Sequence, residues 1–233
     1  MLVHSSLKAI GPVEGGAAAV IAALERTIGV AGTLIMPTFN FGFCSGETFD
    51  VRSTPSQMGV LTELVRTDPR ARRVRHPIYS FAVLGALAEE AARLRNFSSY
   101  GADSLFAKLV EWDAKIMVIG LSYNNSMTFF HYVEEMEGCK YRYMKSFTAP
   151  YVDELGNGSE RTYTMFVRDL ERGVVTAVDP MGELLEREGA VVCGEVGESA
   201  ARLMRARDVY AITARNLTDQ PGLLFRIDIS DSL

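Results

Sequence analysis

The sequence is poor in the residues that build metal and disulfide frameworks. Of its 233 residues only three are cysteine and three histidine. Cys44, Cys139 and Cys193 are scattered, with no Cys-x-x-Cys pair, so neither a disulfide scaffold nor a zinc site is indicated. A reducing cytoplasm is the expected compartment. No apolar run reaches the length that spans a bilayer, and no signal peptide is read at the start. Basic residues are outnumbered, 24 Lys and Arg against 29 Asp and Glu, giving a net charge of −5. That balance argues against nucleic acid and anionic membrane as partners, since both require a basic field. It favours cationic or amine partners. The chain also lacks GxxxxGK[ST], GxGxxG and GxSxG, so triphosphate hydrolysis, Rossmann redox chemistry and the α/β-hydrolase mechanism are without their signatures.

What is present is an ordinary globular composition, 48% hydrophobic and 23% charged, with length enough for one large core. Residues 1–122 alternate between strand-like and helix-like stretches. "LVHSS", "GTLIMPTF", "YSFAVLG" and "AKIMVIGLS" read as strands, the last a continuous apolar run of the parallel type. "GGAAAVIAALERTI", "PSQMGVLTELVRTD" (from near Ser56), "ALAEEAARLRNF", "DSLFAKLVEWD" and "SMTFFHYVEEMEG" read as helices. After Gly138 the texture changes. "YRYMKSFTAPYVDELGNGSERTYTMFVRDLE" alternates around "LGNGS", a hairpin signal. The remainder reads as a helix, "MGELLERE", a short strand, "AVVCGEV", and then helices as far as "PGLLF". The expected fold is α/β: a mixed sheet core flanked by helices, with an antiparallel β elaboration in the second half. It is expected as a single domain over 1–233, with a core at 1–138, the elaboration at about 139–178 and an α/β return at 179–233.

Three stretches carry chemistry. In the first, Thr128, His131 and Glu134 follow the strand "IMVIG" and the polar turn "LSYNNS", spaced by three and so aligned on one helix face. Ligands collect beyond the carboxyl ends of strands in α/β sheets. A neutral imidazole accepts a proton near pH 7, and a neighbouring carboxylate orients it. The same pattern suits a core histidine packed among Phe129, Phe130 and Tyr132, and the residues alone leave both readings open. In the second, His4, Ser5 and Ser6 end a strand before a Gly-rich approach to a helix, a source of hydroxyls and N–H groups for phosphate oxygens or simply a capped turn. The third holds five arginines between Arg66 and Arg75, either a solvated loop or a polyphosphate contact, followed by His76 and Ser80.

Taken in order, "VHSSLKAIG", "GTLIMPTF", "STPSQMGVLTELVR", "RHPIYSFAVLG", "DSLFAKL", "KIMVIGL" and "TFFHYVE" cover most of residues 3–147. This ordered set resembles the aminoglycoside 3-N-acetyltransferase family, the antibiotic N-acetyltransferases outside the GNAT superfamily. "YRYMKSF" and "FVRDLE" resemble a branch associated with surface-polysaccharide or secondary-metabolite amines. Family members usually begin well before the HSSL segment, so the chain is expected to be shortened. The resemblance implies acetyl-CoA as co-substrate, no metal, and a small-molecule amine acceptor, and leaves a homodimer open. It implies His131 as general base, with Glu134 and Thr128 as helpers and His4 at the acetyl end of the cleft. It implies that Ser5, Ser6, Thr38, Ser56, Met58, Gly59, Arg66 and Ser80 hold the cofactor. His76 lines or buttresses the same cleft.

For the acceptor, Glu47 and Asp50 in "CSGETFD" are the candidate acids, together with Glu134; Glu135 and Glu137 should diverge from His131. These are few for a polycation, whereas the aromatics of "FNFGF" and "YRYMK" suit a single amino sugar, and Arg142 and Lys145 suit an acceptor phosphate or carboxylate. Weak activity on polycationic aminoglycosides and better activity on a mono-amine are therefore expected. Two alternatives accompany this reading. One is the same fold acting on a nucleotide-linked amino sugar or other small amine in polysaccharide or secondary metabolism. The other is a CoA-binding protein without turnover, suggested by Phe130 where many relatives carry a small aliphatic residue.

Overall fold

The computed structural model describes residues 1–228. Its first half lays down β1 (Leu2–Ser5), α1 (Leu7–Ile10), α2 (Gly16–Ile28), β2 (Thr33–Pro37), β3 (Phe49–Asp50), α3 (Val60–Thr67), β4 (Arg72–Val74), β5 (Phe81–Gly85), α4 (Ala88–Ala91), α5 (Leu105–Glu111) and β6 (Lys115–Ile119). Next come α6 (Phe129–Met136), β7 (Arg142–Val152), β8 (Gly158–Arg168), β9 (Val174–Thr176), α7 (Asp179–Arg187), β10 (Val191–Val196), β11 (Ser199–Arg205), α8 (Ala206–Leu217) and β12 (Phe225–Ile227). Seven strands form one mixed sheet in the order β10-β11-β6-β1-β2-β5-β4. Only its centre is parallel, β1 pairing with both β2 and β6. The flanking pairs are antiparallel.

The central strands are apolar on both faces because both faces are covered. Leu2, Ile116 and Val118 pack on one side with Phe106, Phe129, Phe130 and Val133 of α5 and α6. Val3, Met36 and Ile119 pack on the other with Val20, Ile21 and Leu24 of α2 and Leu61 and Val65 of α3. Burying each such large apolar side chain contributes about 1.5–3 kcal/mol. Residues of a strand alternate faces, so His4 shares the α6 side with Leu2, while Ser5 shares the α2 side with Val3.

The second half departs from this layering. β7 and β8, eleven residues each, form a hairpin with Arg142 opposite Arg168 and Val152 opposite Gly158, closed by Asp153–Asn157. β3 joins its edge, and Phe43, Phe49, Ile78, Tyr151 and Tyr163 form a separate small core beneath it.

Three expectations shift. "SAARLMR" is the strand β11 rather than part of a helix, although its residues are good helix formers. It fills the slot between β10 and β6, and a tight turn at Gly197 (φ +59°) sets its register, where a Cβ would meet the Ile10 carbonyl oxygen at 2.2 Å. "ALAEEAARLRNF" is helical only over α4, and the helix expected from Ser56 starts at Val60. Residues 229–233 of the expected C-terminal return lie outside the described residues.

Candidate active site

The parallel strands β2, β1 and β6 end on one edge of the sheet, so topology gathers Thr38, Ser5, Ser6 and the loop 120–128 there. That loop leads into α6. The first turn of α6 buries Phe129 and Phe130, which fixes the helix rotation and carries His131 and Glu134 round to one side.

Glu134 is the anchor of the site. Its side chain is 0% exposed, and every short contact it makes comes from a polar group. The His131 Nδ1–H donates to Oε2 at 2.6 Å and the Tyr141 hydroxyl donates to Oε1 at 2.8 Å. Arg142 Nε lies 2.7 Å from Oε2, close enough for an ion pair but not aligned as a hydrogen bond, while its Nη1 donates to the Phe166 carbonyl at 3.1 Å. Burial raises the Glu134 pKa, but the charges of His131 and Arg142 and the hydrogen bonds from His131 and Tyr141 overcome that and hold it below the ordinary value. Arg142 is likewise kept cationic: burial opposes the charge, and Glu134 together with Tyr100, Tyr141 and Cys139 outweighs it.

Arg142 Nη2 also sits 2.9 Å from His131 Nδ1. Nδ1 cannot accept from Arg142 while donating to Glu134. A lone pair aimed at a buried carboxylate is repelled, so the proton resides on Nδ1. Nε2 is then the ring nitrogen left as an acceptor. The His131 side chain is 16% exposed and lines a pocket of about 270 Å³ with Tyr79, Tyr100, Tyr143, Lys145 and Arg168. Burial first, and the Arg142 charge second, press its pKa below the usual histidine value, while Glu134 pulls the other way. The imidazole is therefore neutral near pH 7.

The other expected residues divide into those at the edge and those behind it. The Ser6 hydroxyl accepts from the Ala9 N–H and caps α1. His4 Nε2 and Ser5 Oγ are buried and have no hydrogen-bond partner, and burial pushes the His4 pKa down to about 4. Gly59 opens α3 at φ +112° with open space beside it, and the half-buried Met58 packs on the core. Thr128 stands one turn ahead of His131, half-buried, with no capping bond from its side chain.

The remaining expected residues are engaged with neighbouring groups of the protein. Thr38 and Ser80 are both 0% exposed and bonded to each other at 2.8 Å, behind the edge of the sheet. Arg73, missed in the sequence, donates to Ser80 Oγ and to the carbonyls of Val51 and Thr54, and ties them to the loop ahead of α3. Arg66 is spent on Glu63 and the Arg52 carbonyl, and the Ser56 hydroxyl on Thr62 and the Met58 N–H. His76 is buried and satisfied: its Nδ1 accepts from Ile78 and Tyr79, and its Nε2 meets the Phe97 carbonyl. Asp50 is paired with Arg52, and Glu134 is sealed from any acceptor. Glu135 and Glu137 do diverge from His131, toward Ser98 and Tyr210. Glu47 is exposed in the loop that follows Phe41, whose ring meets Tyr79 at 5.7 Å. Among the described residues, no group of three or more His, Cys, Asp and Glu side chains is placed to hold a metal ion. No helix among them is long and apolar enough to cross a membrane.

His131, held by Glu134, stands beside a pocket at the carboxyl edge of a mixed α/β sheet, the region where such sheets collect their ligands. The aminoglycoside 3-N-acetyltransferase profile matches residues 2–218, and the chain belongs to that family of acyltransferases. The aminoglycoside N(3)-acetyltransferase IV of a Salmonella species is 27% identical over 95% of this chain and 81% of its own length. The crystal structure of the aminoglycoside acetyltransferase AAC(3)-IVa apoenzyme superposes with a TM-score of 0.78 at 27% identity, covering 95% of this chain and 82% of that one. The binary complex of AAC-IIIb with CoASH shares the fold at a TM-score of 0.82 and 23% identity, covering 94% and 89%.

Proposed function

We propose that this acyltransferase moves the acetyl group of acetyl-CoA to a primary amine of an aminoglycoside or related amino sugar, with His131 as general base. The observation that carries the reading is the His131 Nδ1–Glu134 bond of 2.6 Å, which leaves Nε2 as the acceptor in a pocket. Relatives have been solved with CoASH, with a gentamicin and with apramycin, which supports a thioester donor and an amine acceptor.

The thioester supplies an acyl group that is already activated, so no covalent enzyme intermediate is needed. Amines are mostly ammonium in water and attack only when neutral, so one proton is lost to solvent before the attack. His131 Nε2 takes the amine proton as nitrogen bonds to the acyl carbon and the C–S bond breaks. The imidazolium then returns a proton to the departing thiolate, so an amide and a free thiol result. Glu134 holds the ring and stabilises its cation, and the Thr128 hydroxyl or a backbone N–H of the loop ahead of it would serve the carbonyl oxygen. The buried, unpartnered polar atoms of His4 and Ser5 and the open backbone at Gly59 fit a ligand of amides and phosphates. Ser5, Ser6, Met58 and Gly59 would hold the donor, braced by the Thr38–Ser80–Arg73 network. We read residues 1–233 as one cytoplasmic catalytic unit in which the hairpin contributes Arg142 and a pocket wall.

Thiol release from acetyl-CoA, with mass spectrometry of the product, tests the reading across aminoglycosides and amino sugars. An acetylated amine supports it. No thiol release with any amine, from protein that binds coenzyme A, sinks it.

A further inference from the structure

We infer that the acceptor is an amino sugar bearing a phosphate, bound by Lys145 and Arg168 at the mouth of the His131 pocket. This rests on the reading of His131 as base and narrows its acceptor. Ion pairs engage ten of the nineteen arginines of this acidic chain among the described residues: Arg52, Arg66, Arg70, Arg72, Arg75, Arg142, Arg187, Arg202, Arg205 and Arg215 each contact a carboxylate. Lys145 and Arg168 make none among the described residues. Both are exposed and both line the pocket that holds His131. Lys145 Nζ stands over the Phe147 ring at 5.4 Å, and Arg168 Nη1 makes one long bond, 3.3 Å, to Thr176 Oγ1.

The described lining of this pocket contains no carboxylate. Glu134 lies behind the histidine, and its charge is already matched by the buried Arg142. The uncompensated charge at the mouth is therefore positive, the wrong sign for a polycation and the right sign for an anion. Lys145 and Arg168 present ammonium and guanidinium donors that match phosphate oxygens. The exposed Tyr143 and half-buried Phe147 offer aromatic faces for the apolar side of a sugar ring. The phosphates of coenzyme A do not account for the pair. They lie a full pantetheine arm from the sulfur, whereas Lys145 and Arg168 share a pocket of about 270 Å³ with the base.

The test uses the full chain and acetyl-CoA with glucosamine, glucosamine 6-phosphate, UDP-glucosamine and apramycin, at low and high salt. We expect kcat/KM for a phosphorylated amino sugar to exceed that for glucosamine by about tenfold or more, the scale of one charge-assisted contact. Salt should shrink that ratio. In the double variant Lys145→Gln, Arg168→Gln the ratio should collapse toward one. Preference for glucosamine 6-phosphate points to a free sugar phosphate and preference for UDP-glucosamine to a nucleotide-linked one, and either supports the inference. Preference for apramycin, with KM rising with salt, overturns the inference and leaves the proposed function standing. Binding is read separately, by thermal shift with glucosamine 6-phosphate in the inactive His131→Ala background. A shift that disappears in the double variant supports the anion site whatever the turnover, and no shift overturns it.

Discussion

Replacing Glu134 with glutamine removes one charge from the centre of the site and nearly preserves its shape. The carbonyl of the introduced amide could still accept from Nδ1–H, so packing alone gives little reason for a large effect. Charge gives two. The carboxylate attracts the imidazolium that forms as the proton is taken, by on the order of 4 kcal/mol for a close pair at an effective dielectric near 20. Arg142, 2.9 Å from Nδ1 on the same side, opposes that and cancels part of it. Without the carboxylate, the Arg142 Nη2–H is free to donate to Nδ1, which forces the ring proton onto Nε2 and blocks the base. A drop in kcat of about a hundredfold or more is expected, with KM for acetyl-CoA little changed. Arg142 would also lose its buried counterion, a loss that costs about 3–5 kcal/mol of stability, so the variant should melt earlier. The assay is thiol release across pH, on protein shown by circular dichroism to be folded at the assay temperature. A folded variant with kcat close to wild type would refute the argument that Glu134 sets the tautomer.

Two further outcomes follow from the buried groups. Burial lowers His4 to about 4 and His76 to about 3, below the ordinary unfolded value of 6.5, so the unfolded chain takes up these protons first. Their contribution is complete above pH 6.5 and is lost as pH falls through that value toward the folded pKa values, by about 1.4 kcal/mol per pH unit for each group. Urea melts between pH 7 and pH 5 should show the loss, and a His76→Gln variant a shallower one; equal slopes would remove His76 from the account. Arg66→Ala should destabilise the protein by about 1 kcal/mol through the lost Glu63 pair. It should weaken coenzyme A and a dephosphorylated pantetheine fragment equally, and a selective loss for coenzyme A would show that Arg66 touches a phosphate after all.

Much of the architecture could be read from pattern. The runs "LIMP" and "KIMVI" have no alternation because both faces of β2 and β6 are covered, and the three-residue spacing of His131 and Glu134 predicted the contact between them. Strand β11 was not legible, because its own residues favour helix and only the vacant sheet position beside β6 decides otherwise. Nor was the role of Arg142. Its side chain reaches Glu134 because the chain turns at Gly138 and starts β7 against α6, a tertiary event that leaves no local spacing to detect. Arg73 was hidden for a similar reason. Among five neighbouring arginines it is the one that reaches the Val51 and Thr54 carbonyls, and composition could not single it out.

The most direct test of the central claim is turnover by His131→Ala with acetyl-CoA and an accepted amine, from about pH 6 to pH 9. The account predicts a fall in kcat of about two to four orders of magnitude, with coenzyme A affinity nearly unchanged. Near wild-type turnover across that range would show that His131 is not the base.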